Sequence, residues 1–458
     1  MTTEELSDFP GVPAAPSLLS SAHRRIDPLL REAVGALQPE LRRVCGYHFG
    51  WSQPDGSPTY GVAPEPPLRA ALTLYAAGAG ETGRDGTSHT PTAAALPGAA
   101  AVELVHNWAV LHDDVMDGEA LRHGRSAVWA VYGTGWAVLA GDALLGAATR
   151  RVLPVETGPT STPGADPSPV ADLGPAAVMD AVTGPMPKAS PGPGAGSGAG
   201  PRAGSGPGGG PGSAATREPG PAAGRQGAAA RRPGAADGRR HRTAAEGRRV
   251  ESGRSAEAAA EAAVLRLLTR TTSRLVSGRS AELALRRRAP EGITVEEYAV
   301  VAGARRGSLL ECALASGALL AGADERVVEA LTRAGHHLGV AAQVARDIED
   351  LWSGTALSGR PVMSGLREGG PSLPLIAALR AGNPAARTLA QSLGGGPACP
   401  PPPDELAALI DHAGGRAAAH EISAWQLTEA LTQLDKAGLP SATHAALRAL
   451  FRHTVAQG

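Results

Sequence analysis

The sequence predicts an all-α protein, a helical bundle around a central apolar cavity that is interrupted by a long disordered insertion. Aromatic residues make up only 3% of the 458 residues and apolar residues 42%. The core must therefore consist mainly of Ala, Leu and Val, which suit packed helices better than strands. Apolar residues also recur at helical spacing in many segments, and we find no convincing alternation of period two.

Helices are expected on both sides of the insertion. The first segment covers 17–46, with breaks at Pro28 and Pro39. The remaining helical segments are expected at about 68–79, 98–117, 136–152, from 256 onward, 295–320, 324–353, 372–381 and 403–456.

The insertion covers residues 154–255, where Pro, Gly, Ala, Ser and Arg dominate. It has too little apolar content to offset the entropy cost of ordering, so we expect it to be disordered. The flanks, 1–153 and 256–458, are interpreted as two halves of one helical domain because the chemical motifs are divided between them. A long insertion within a domain costs little, since loop-closure entropy grows only logarithmically with length.

Charge and cysteine content favour a cytoplasmic protein. The net charge of −1 gives no reason to expect a nucleic-acid partner. Cys45, Cys312 and Cys399 are far apart and form no CxxC motif, which indicates free thiols in a reducing compartment. The first residues, MTTEELSDFPGVP, contain no apolar signal region, and no apolar run approaches the roughly 20 residues of a transmembrane segment.

The strongest chemical signal is LVHNWAVLHDDVMDGEALRHGR, residues 104–125. Asp113 and Asp117 are four residues apart and share one face of a helix, with Asp114 beside them. Carboxylates on an otherwise apolar helix repel one another, and Mg²⁺ would remove that cost through the oxygen ligands it prefers. Taken alone, the motif favours a solvated acidic helix end capped by Gly118; the second acidic motif described next strengthens the metal-binding interpretation.

A second acidic motif occurs at QVARDIEDLW, residues 343–352. Asp347 and Asp350 are three residues apart, with Arg346 and Glu349 beside them. Two acidic helices facing each other across an apolar cavity can hold metal ions around a diphosphate and stabilise it as a leaving group. The alternative is a surface network of Arg, Asp and Glu.

With these segments the sequence resembles the trans-isoprenyl diphosphate synthases (polyprenyl synthetases), especially actinobacterial ones. The resemblance covers about residues 17–153 and 256–456. The matching segments are ELVHNWAVLHDDVMDGEALRHGR, AVLAGDALL, SLLECALASGALLAGAD, GRPVMSGLREGGPSLPLIAAL and IDHAGGRAAAHE.

The resemblance implies an isoprenoid-synthase-type bundle, two or three Mg²⁺ ions and a homodimer. It also implies a prenyltransferase that condenses an allylic diphosphate with isopentenyl diphosphate. The implied metal-binding residues are Asp113, Asp114, Asp117, Asp347 and Asp350. The same three aspartates of the first motif would be catalytic together with Arg122. The implied substrate-binding residues are Arg69, His106, Arg122, His123, Arg305 and Arg346.

Several positions depart from the family pattern. Glu65-Pro66 replaces a Gly-Lys pair, and His123 replaces the second arginine of an Arg-Arg pair, so two of four expected isopentenyl diphosphate contacts are changed. Arg279 stands in place of a glutamine, and the lysine expected just before SLP is absent. Arg346 replaces the first aspartate of the second motif. A guanidinium cannot ligate Mg²⁺, and our hypothesis is that Arg346 replaces one ion as a counter-charge.

Three functions remain open at this point. The first is a chain-elongating synthase. The second is an enzyme like a class I terpene synthase, which ionises an allylic diphosphate without isopentenyl diphosphate. The third is an inactive partner subunit of a synthase.

Product length is indicated by Trp108 and Ala109, since in the family a bulky residue five positions before the first aspartate closes the pocket. Trp108 favours a short product of C15 to C20. Packing of Trp108 between helices is the alternative interpretation.

Overall fold

The computed structural model describes residues 14–59, 66–80, 93–122, 124–153, 237–352, 370–394 and 402–456, with side chains described from residue 255 onward in the fifth of these ranges. The chain divides into two compact units, Met1–Pro154 with Glu246–Gly458, and Val155–Ala245. In the second unit the described residues, 237–245, belong to the first turns of a helix. The first unit contains all other described residues.

The described residues of the first unit are almost entirely helical, which confirms the all-α prediction. The α-helices are α1 Ala15–Gly35, α2 Pro39–His48, α3 Leu68–Ala76, α4 Leu96–Asp117, α5 Val128–Tyr132, α6 Thr134–Val152, α7 Asp237–Leu285, α8 Val295–Ala302, α9 Ser308–Leu320, α10 Glu325–Trp352, α11 Leu373–Arg380, α12 Pro384–Gly394, α13 Pro403–His412, α14 Gly415–Lys436 and α15 Ser441–Ala456. One short antiparallel hairpin, β1 Leu121–Arg122 with β2 Arg125–Ser126, follows α4.

The main core is built from Ala, Leu and Val side chains, as the composition requires. Helix α4 is central to it, and its residues between Gly98 and Leu111 are nearly all buried. Helix α4 packs on α6, while α9 packs on α3 and α10. The acidic end of α4 therefore continues a helix whose position the core fixes.

A single π-helical turn, Gly303–Gly307, connects α8 to α9 without a break. Such turns occur mostly as local bulges within α-helices and often at functional sites. Its two terminal glycines lie against His336 of α10, where an added Cβ would come within 2.6 Å of the imidazole at Gly303 and 3.3 Å at Gly307. The turn carries Arg305 and Arg306 and thus determines where both guanidinium groups point.

The helix boundaries differ from the predicted ones at several places. Helix α1 continues through Pro28, whereas the break near Pro39 is present. Helix α7 begins at Asp237, ahead of the predicted position near 256, because Ala, Arg and Glu are strong helix formers even in a basic, polar segment. Helices α5 and α12 were not predicted. The rest of the predicted insertion, 154–236, lies outside the described residues.

By length and composition alone, one described helical stretch, Ala93–Asp117, could cross a membrane. Most of it is buried within the bundle, which is the usual environment of a core helix. Cys45 and Cys312 are buried reduced thiols, and burial raises their pKa values to about 12 and about 11. Cys399 lies outside the described residues.

Candidate active site

The first acidic cluster, Asp113, Asp114 and Asp117, lies in the last turns of α4. The helix ends at Gly118, which adopts the left-handed conformation (φ 66°) that glycine tolerates without steric cost. The hairpin after it brings Arg122 back over the helix end, where the guanidinium binds the buried carboxylate of Asp114. Asp114 is thus held by an arginine from the next element of the chain.

The other two carboxylates of the first acidic cluster bind arginines that are distant in sequence. Arg279 of α7 donates a hydrogen bond from Nη2 to Oδ1 of Asp117. Its Nε lies 3.7 Å from Oδ1 of Asp113. Arg286, just beyond α7, places Nη1 2.9 Å from the same Asp117 oxygen. Arg305 of the π-helical turn donates from Nη2 to Oδ2 of Asp113 at 2.6 Å.

Glu282 connects these arginines to one another. Its carboxylate accepts hydrogen bonds from Arg279 Nη1 at 3.2 Å and from Arg286 Nη2 at 2.8 Å. It also accepts one from Arg305 Nη1. Three carboxylates and three guanidinium groups therefore form one ionic network, whose members are Asp113, Asp117, Glu282, Arg279, Arg286 and Arg305. We call this set the ionic network.

The second acidic cluster, Asp347, Glu349 and Asp350, lies near the end of α10. Asp347 is buried and accepts hydrogen bonds from the Tyr298 hydroxyl at 2.7 Å, from the Leu373 backbone N–H at 2.9 Å and from Gln343 at 2.8 Å. Burial nevertheless raises the pKa of this carboxyl to about 6, with the negative charge of Asp350 acting in the same direction and the three hydrogen bonds opposing it. Burial also raises the pKa of Glu349.

Positive charge is concentrated between the two acidic clusters. Burial lowers the pKa of Arg306 well below its usual range, and the neighbouring guanidinium groups of Arg346, Arg69 and Arg305 lower it further. Arg306 donates from Nε to the side-chain oxygen of Gln343 at 2.6 Å. Crowded guanidinium groups of this kind favour a bound anion, because an anion relieves their mutual repulsion.

One cavity joins the two clusters, and its described lining is mostly charged. The charged lining residues are Asp117, Arg279, Glu282, Arg286, Arg305, Arg306, Arg346, Asp347, Glu349 and Asp350. Apolar side chains such as Leu285 and Val301 complete the wall. The described lining thus presents five guanidinium groups and five carboxylates to the cavity.

The cavity brings together five of the predicted metal- and substrate-binding residues, namely Asp117, Arg305, Arg346, Asp347 and Asp350. Asp113 adjoins them through its bond to Arg305. The described lining does not include the other predicted positions, Arg69, His106, Trp108, Ala109, Asp114 and Arg122, and His123 lies outside the described residues.

His106 and Trp108 are buried in the middle of α4, and Ala109 is half-buried against the main core. Arg69 stands at the start of α3, close enough for its charge to lower the pKa of Arg306. Its neighbour Ala70 donates its backbone N–H to Glu103 of α4 at 3.3 Å, which ties the two helices together at this point.

Sequence reasoning missed Glu282, Arg286, Arg306 and Tyr298. A signal was present for the first two, since Arg279, Glu282 and Arg286 recur at intervals of three and four and so share one helix face. The adjacent pair Arg305-Arg306 gave no such signal, because in an ordinary helix neighbouring residues point in different directions.

Fold and site define an all-α protein with a charged cavity between two acidic helices. A family model described as polyprenyl synthetase matches residues 66–161 and 249–408. The chain is 27% identical over 445 residues to the (2E,6E)-farnesyl diphosphate synthase of Mycobacterium tuberculosis H37Rv, covering 96% of this chain and 92% of that protein. It is 29% identical over 360 residues to the geranylgeranyl diphosphate synthase of the same organism, covering 79% of this chain and 71% of that protein.

A solved structure of a polyprenyl synthetase from Streptomyces coelicolor A3(2) is similar throughout. Its TM-score is 0.66 and its sequence identity 26%, and the match covers 96% of this chain and 99% of that one. The chain belongs to the polyprenyl synthetase family. This confirms the resemblance on which the expected activity was based.

Members of this family use divalent metal ions, so the described residues can be tested for their fit to such ions. Aspartates supply suitable oxygen ligands, but all three carboxylates of the first acidic cluster already bind guanidinium groups. In the second cluster, Asp347 is buried among three hydrogen-bond donors. Among the described residues, no group of three or more His, Cys, Asp or Glu side chains is placed to hold a metal ion. The arrangement therefore does not fit a cluster of two or three ions.

Proposed function

We propose that the chain condenses an allylic diphosphate with isopentenyl diphosphate to form a short prenyl diphosphate of C15 to C20. The observation that carries the proposal is the meeting of both acidic clusters with five arginines at one cavity. The similarity to proteins named farnesyl and geranylgeranyl diphosphate synthase supports the short product.

The arginines give this site its chemical capability. In the proposed reaction the C–O bond of the allylic diphosphate breaks, which leaves an allylic cation and adds negative charge to the departing diphosphate. The double bond of isopentenyl diphosphate then attacks the cation, and a proton is lost. Guanidinium groups fixed in a partly buried site stabilise the departing charge without reorganising, because the protein already holds them in place.

Five cationic side chains stand around the space that a diphosphate would occupy. Arg279 comes from the end of α7, Arg286 from the residue just after that helix, Arg305 and Arg306 from the π-helical turn, and Arg346 from α10. We propose that they bind the diphosphate together. Magnesium, its count of two or three ions, and the metal-binding roles of the aspartates stay predictions from the sequence.

Product analysis separates the proposed activity from the alternatives. The purified chain would be incubated with geranyl, farnesyl or geranylgeranyl diphosphate, with and without isopentenyl diphosphate, in Mg²⁺-containing buffer. With geranyl or farnesyl diphosphate, a longer prenyl diphosphate of C15 to C20, formed only with isopentenyl diphosphate, is the expected result, and geranylgeranyl diphosphate should not be elongated. A hydrocarbon or alcohol formed without isopentenyl diphosphate would instead indicate a terpene synthase-like enzyme. Binding without any product would indicate a partner subunit.

We further propose that the protein acts as a cytoplasmic homodimer, as the family resemblance implies. Trp136 and Leu139 of α6 are 38% and 54% exposed and offer an apolar surface for self-association. Light scattering of the wild type and of Leu139→Lys tests this. A dimer that the substitution dissociates is expected, and a monomeric wild type would contradict the proposal.

A further inference from the structure

The guanidinium group of Arg279 lies between two carboxylates of the first acidic cluster. Its Nη2 is hydrogen-bonded to Asp117, and its Nε is 3.7 Å from Oδ1 of Asp113. Asp113 and Asp117 are one helical turn apart on α4, on the same face. Only 7% of the Arg279 side chain and 7% of the Asp117 side chain are exposed, so solvent screens this contact weakly.

A cation between Asp113 and Asp117 relieves the repulsion between their carboxylates, as a bridging divalent ion would. Two partly buried carboxylates on one helix face repel each other unless positive charge lies between them. A guanidinium group is charged at all relevant pH values and donates charge-assisted hydrogen bonds in a fixed geometry. It does not form the coordination bonds that a metal ion would form with the carboxylates. Arg279 therefore neutralises the pair from within the chain.

Charge balance in the ionic network supports the same conclusion. Its three carboxylates, Asp113, Asp117 and Glu282, face three guanidinium groups. Formal charge in the network is thus balanced, which leaves little excess negative charge to attract a divalent ion. The remaining cavity arginines, Arg306 and Arg346, are outside this balanced set: Arg306 interacts electrostatically with Asp347, and Arg346 with Glu349.

We propose that Arg279 occupies the place of a divalent ion between Asp113 and Asp117, so that the chain binds a diphosphate through its arginines without a metal ion at that position. The ligand class rests on the proposed function. The replacement of an ion by Arg279 does not, because it concerns only the first acidic cluster.

Pyrophosphate binding is the first test. Isothermal titration calorimetry would measure binding of inorganic pyrophosphate to the full chain in EDTA and in Mg²⁺, for the wild type and for Arg279→Gln. The wild type is expected to bind in EDTA, whereas Arg279→Gln is expected to bind at least about tenfold more weakly in EDTA and to recover affinity in Mg²⁺. The control is Arg270→Gln, an exposed arginine on the same helix, which should behave as the wild type.

Thermal unfolding with Mg²⁺ alone is the second test and needs no diphosphate. An ion that binds only the folded state raises the melting temperature. Mg²⁺ should raise the melting temperature of Arg279→Gln clearly more than that of the wild type, because the variant exposes the carboxylate pair to the ion. Should Arg279→Gln fail to fold, Arg279→Lys and the wild type are compared in the same way, and a wild type strongly stabilised by Mg²⁺ overturns the inference.

The two tests separate the inference from the proposed function. A wild type that binds pyrophosphate only with Mg²⁺, or an Arg279→Gln variant that binds equally well in EDTA, would overturn the inference. If neither the wild type nor the variant binds pyrophosphate but Mg²⁺ selectively stabilises Arg279→Gln, the role of Arg279 stands and the ligand class proposed for the site is wrong.

Discussion

Gly339 of α10 lies directly on the backbone of Gly307 at the end of the π-helical turn. A Cβ added at Gly339 would come within 2.4 Å of both Cα and N of Gly307. A contact this short cannot be relieved by a side-chain rotation, because both partners are backbone. Because Gly339 has no Cβ, the π-helical turn that carries Arg305 and Arg306 can pack directly on the backbone of α10.

Gly339→Ala is expected to destabilise the protein by at least about 2 kcal/mol and to weaken pyrophosphate binding, because the π-helical turn has to move away from α10. Gly146→Ala on α6 is the matched control. Its nearest neighbour would be a flexible side-chain atom, Arg150 Nη1 at 3.7 Å, so the helix should gain up to about 1 kcal/mol. Urea unfolding and calorimetry check both variants, and equal behaviour of the two would contradict the packing argument.

Arg122→Gln is expected to lower the free energy of unfolding by about 2–3 kcal/mol. Asp114 is only 3% exposed in its side chain, and Arg122 holds it with Nε at 3.0 Å from Oδ1 and Nη2 at 2.5 Å from the same oxygen. Removing the cation leaves a buried carboxylate poorly compensated, although the 30% exposure of Arg122 reduces the cost. In the double variant with Asp114→Asn, most of the lost free energy of unfolding should be recovered, as measured by urea unfolding at neutral pH. If Arg122→Gln alone lowers the free energy of unfolding by less than about 0.5 kcal/mol, the pair has no structural role.

The buried carboxyl of Asp347 predicts a pH-dependent stability. Its folded-state pKa of about 6 lies above the ordinary value of 3.8, so the unfolded chain releases the proton first as pH rises. Protonation of Asp347 therefore stabilises the folded state fully below about pH 4. This stabilisation of roughly 3 kcal/mol is lost as pH rises from about 4 to above 6.

Asp347→Asn removes this titration. The free energy of unfolding of the variant relative to the wild type should therefore rise by up to about 3 kcal/mol between pH 4 and pH 7. Urea titrations at several pH values measure it, and a difference between variant and wild type that does not change with pH would be the contrary result.

Trp108→Ala is expected to lengthen the prenyl products, if the indole limits the pocket as the sequence predicts. The ring is 7% exposed, its centroid is 5.4 Å from that of His112, and both side chains lie against Gly141 of α6. The same substitution should lower the free energy of unfolding by about 3–5 kcal/mol through the cavity it leaves.

Product chromatography compares Trp108→Ala with Trp425→Ala, whose indole is 55% exposed. Unchanged product lengths together with a large loss of stability would assign Trp108 to helix packing alone.

The sequence predicted the parts of this site that depend on local spacing. The two acidic motifs lie on helices as expected, because positions three and four apart share a face whatever the tertiary structure. The partners of those carboxylates could not be predicted in this way. Asp117 and Arg279 are 162 residues apart, and which side chains meet at that separation is decided by the packing of α4 against the end of α7.

The π-helical turn is a second limit of sequence reasoning. Helical periodicity gives Arg305 and Arg306 different directions, yet both line the cavity, since one turn of the chain departs from the regular spacing. Burial of Asp347 was likewise not foreseen, because its hydrogen-bond donors come from three separate elements.

The ionic network has a consequence for how the two stretches of the chain depend on each other. Asp113 and Asp117 precede residue 153, whereas Glu282 and all three arginines follow residue 255. Separated from the earlier stretch, the three guanidinium groups would lose both aspartates of α4 and keep only Glu282 from the ionic network. The ionic network therefore forms only when the residues before 153 and the residues after 255 pack together in one folded bundle.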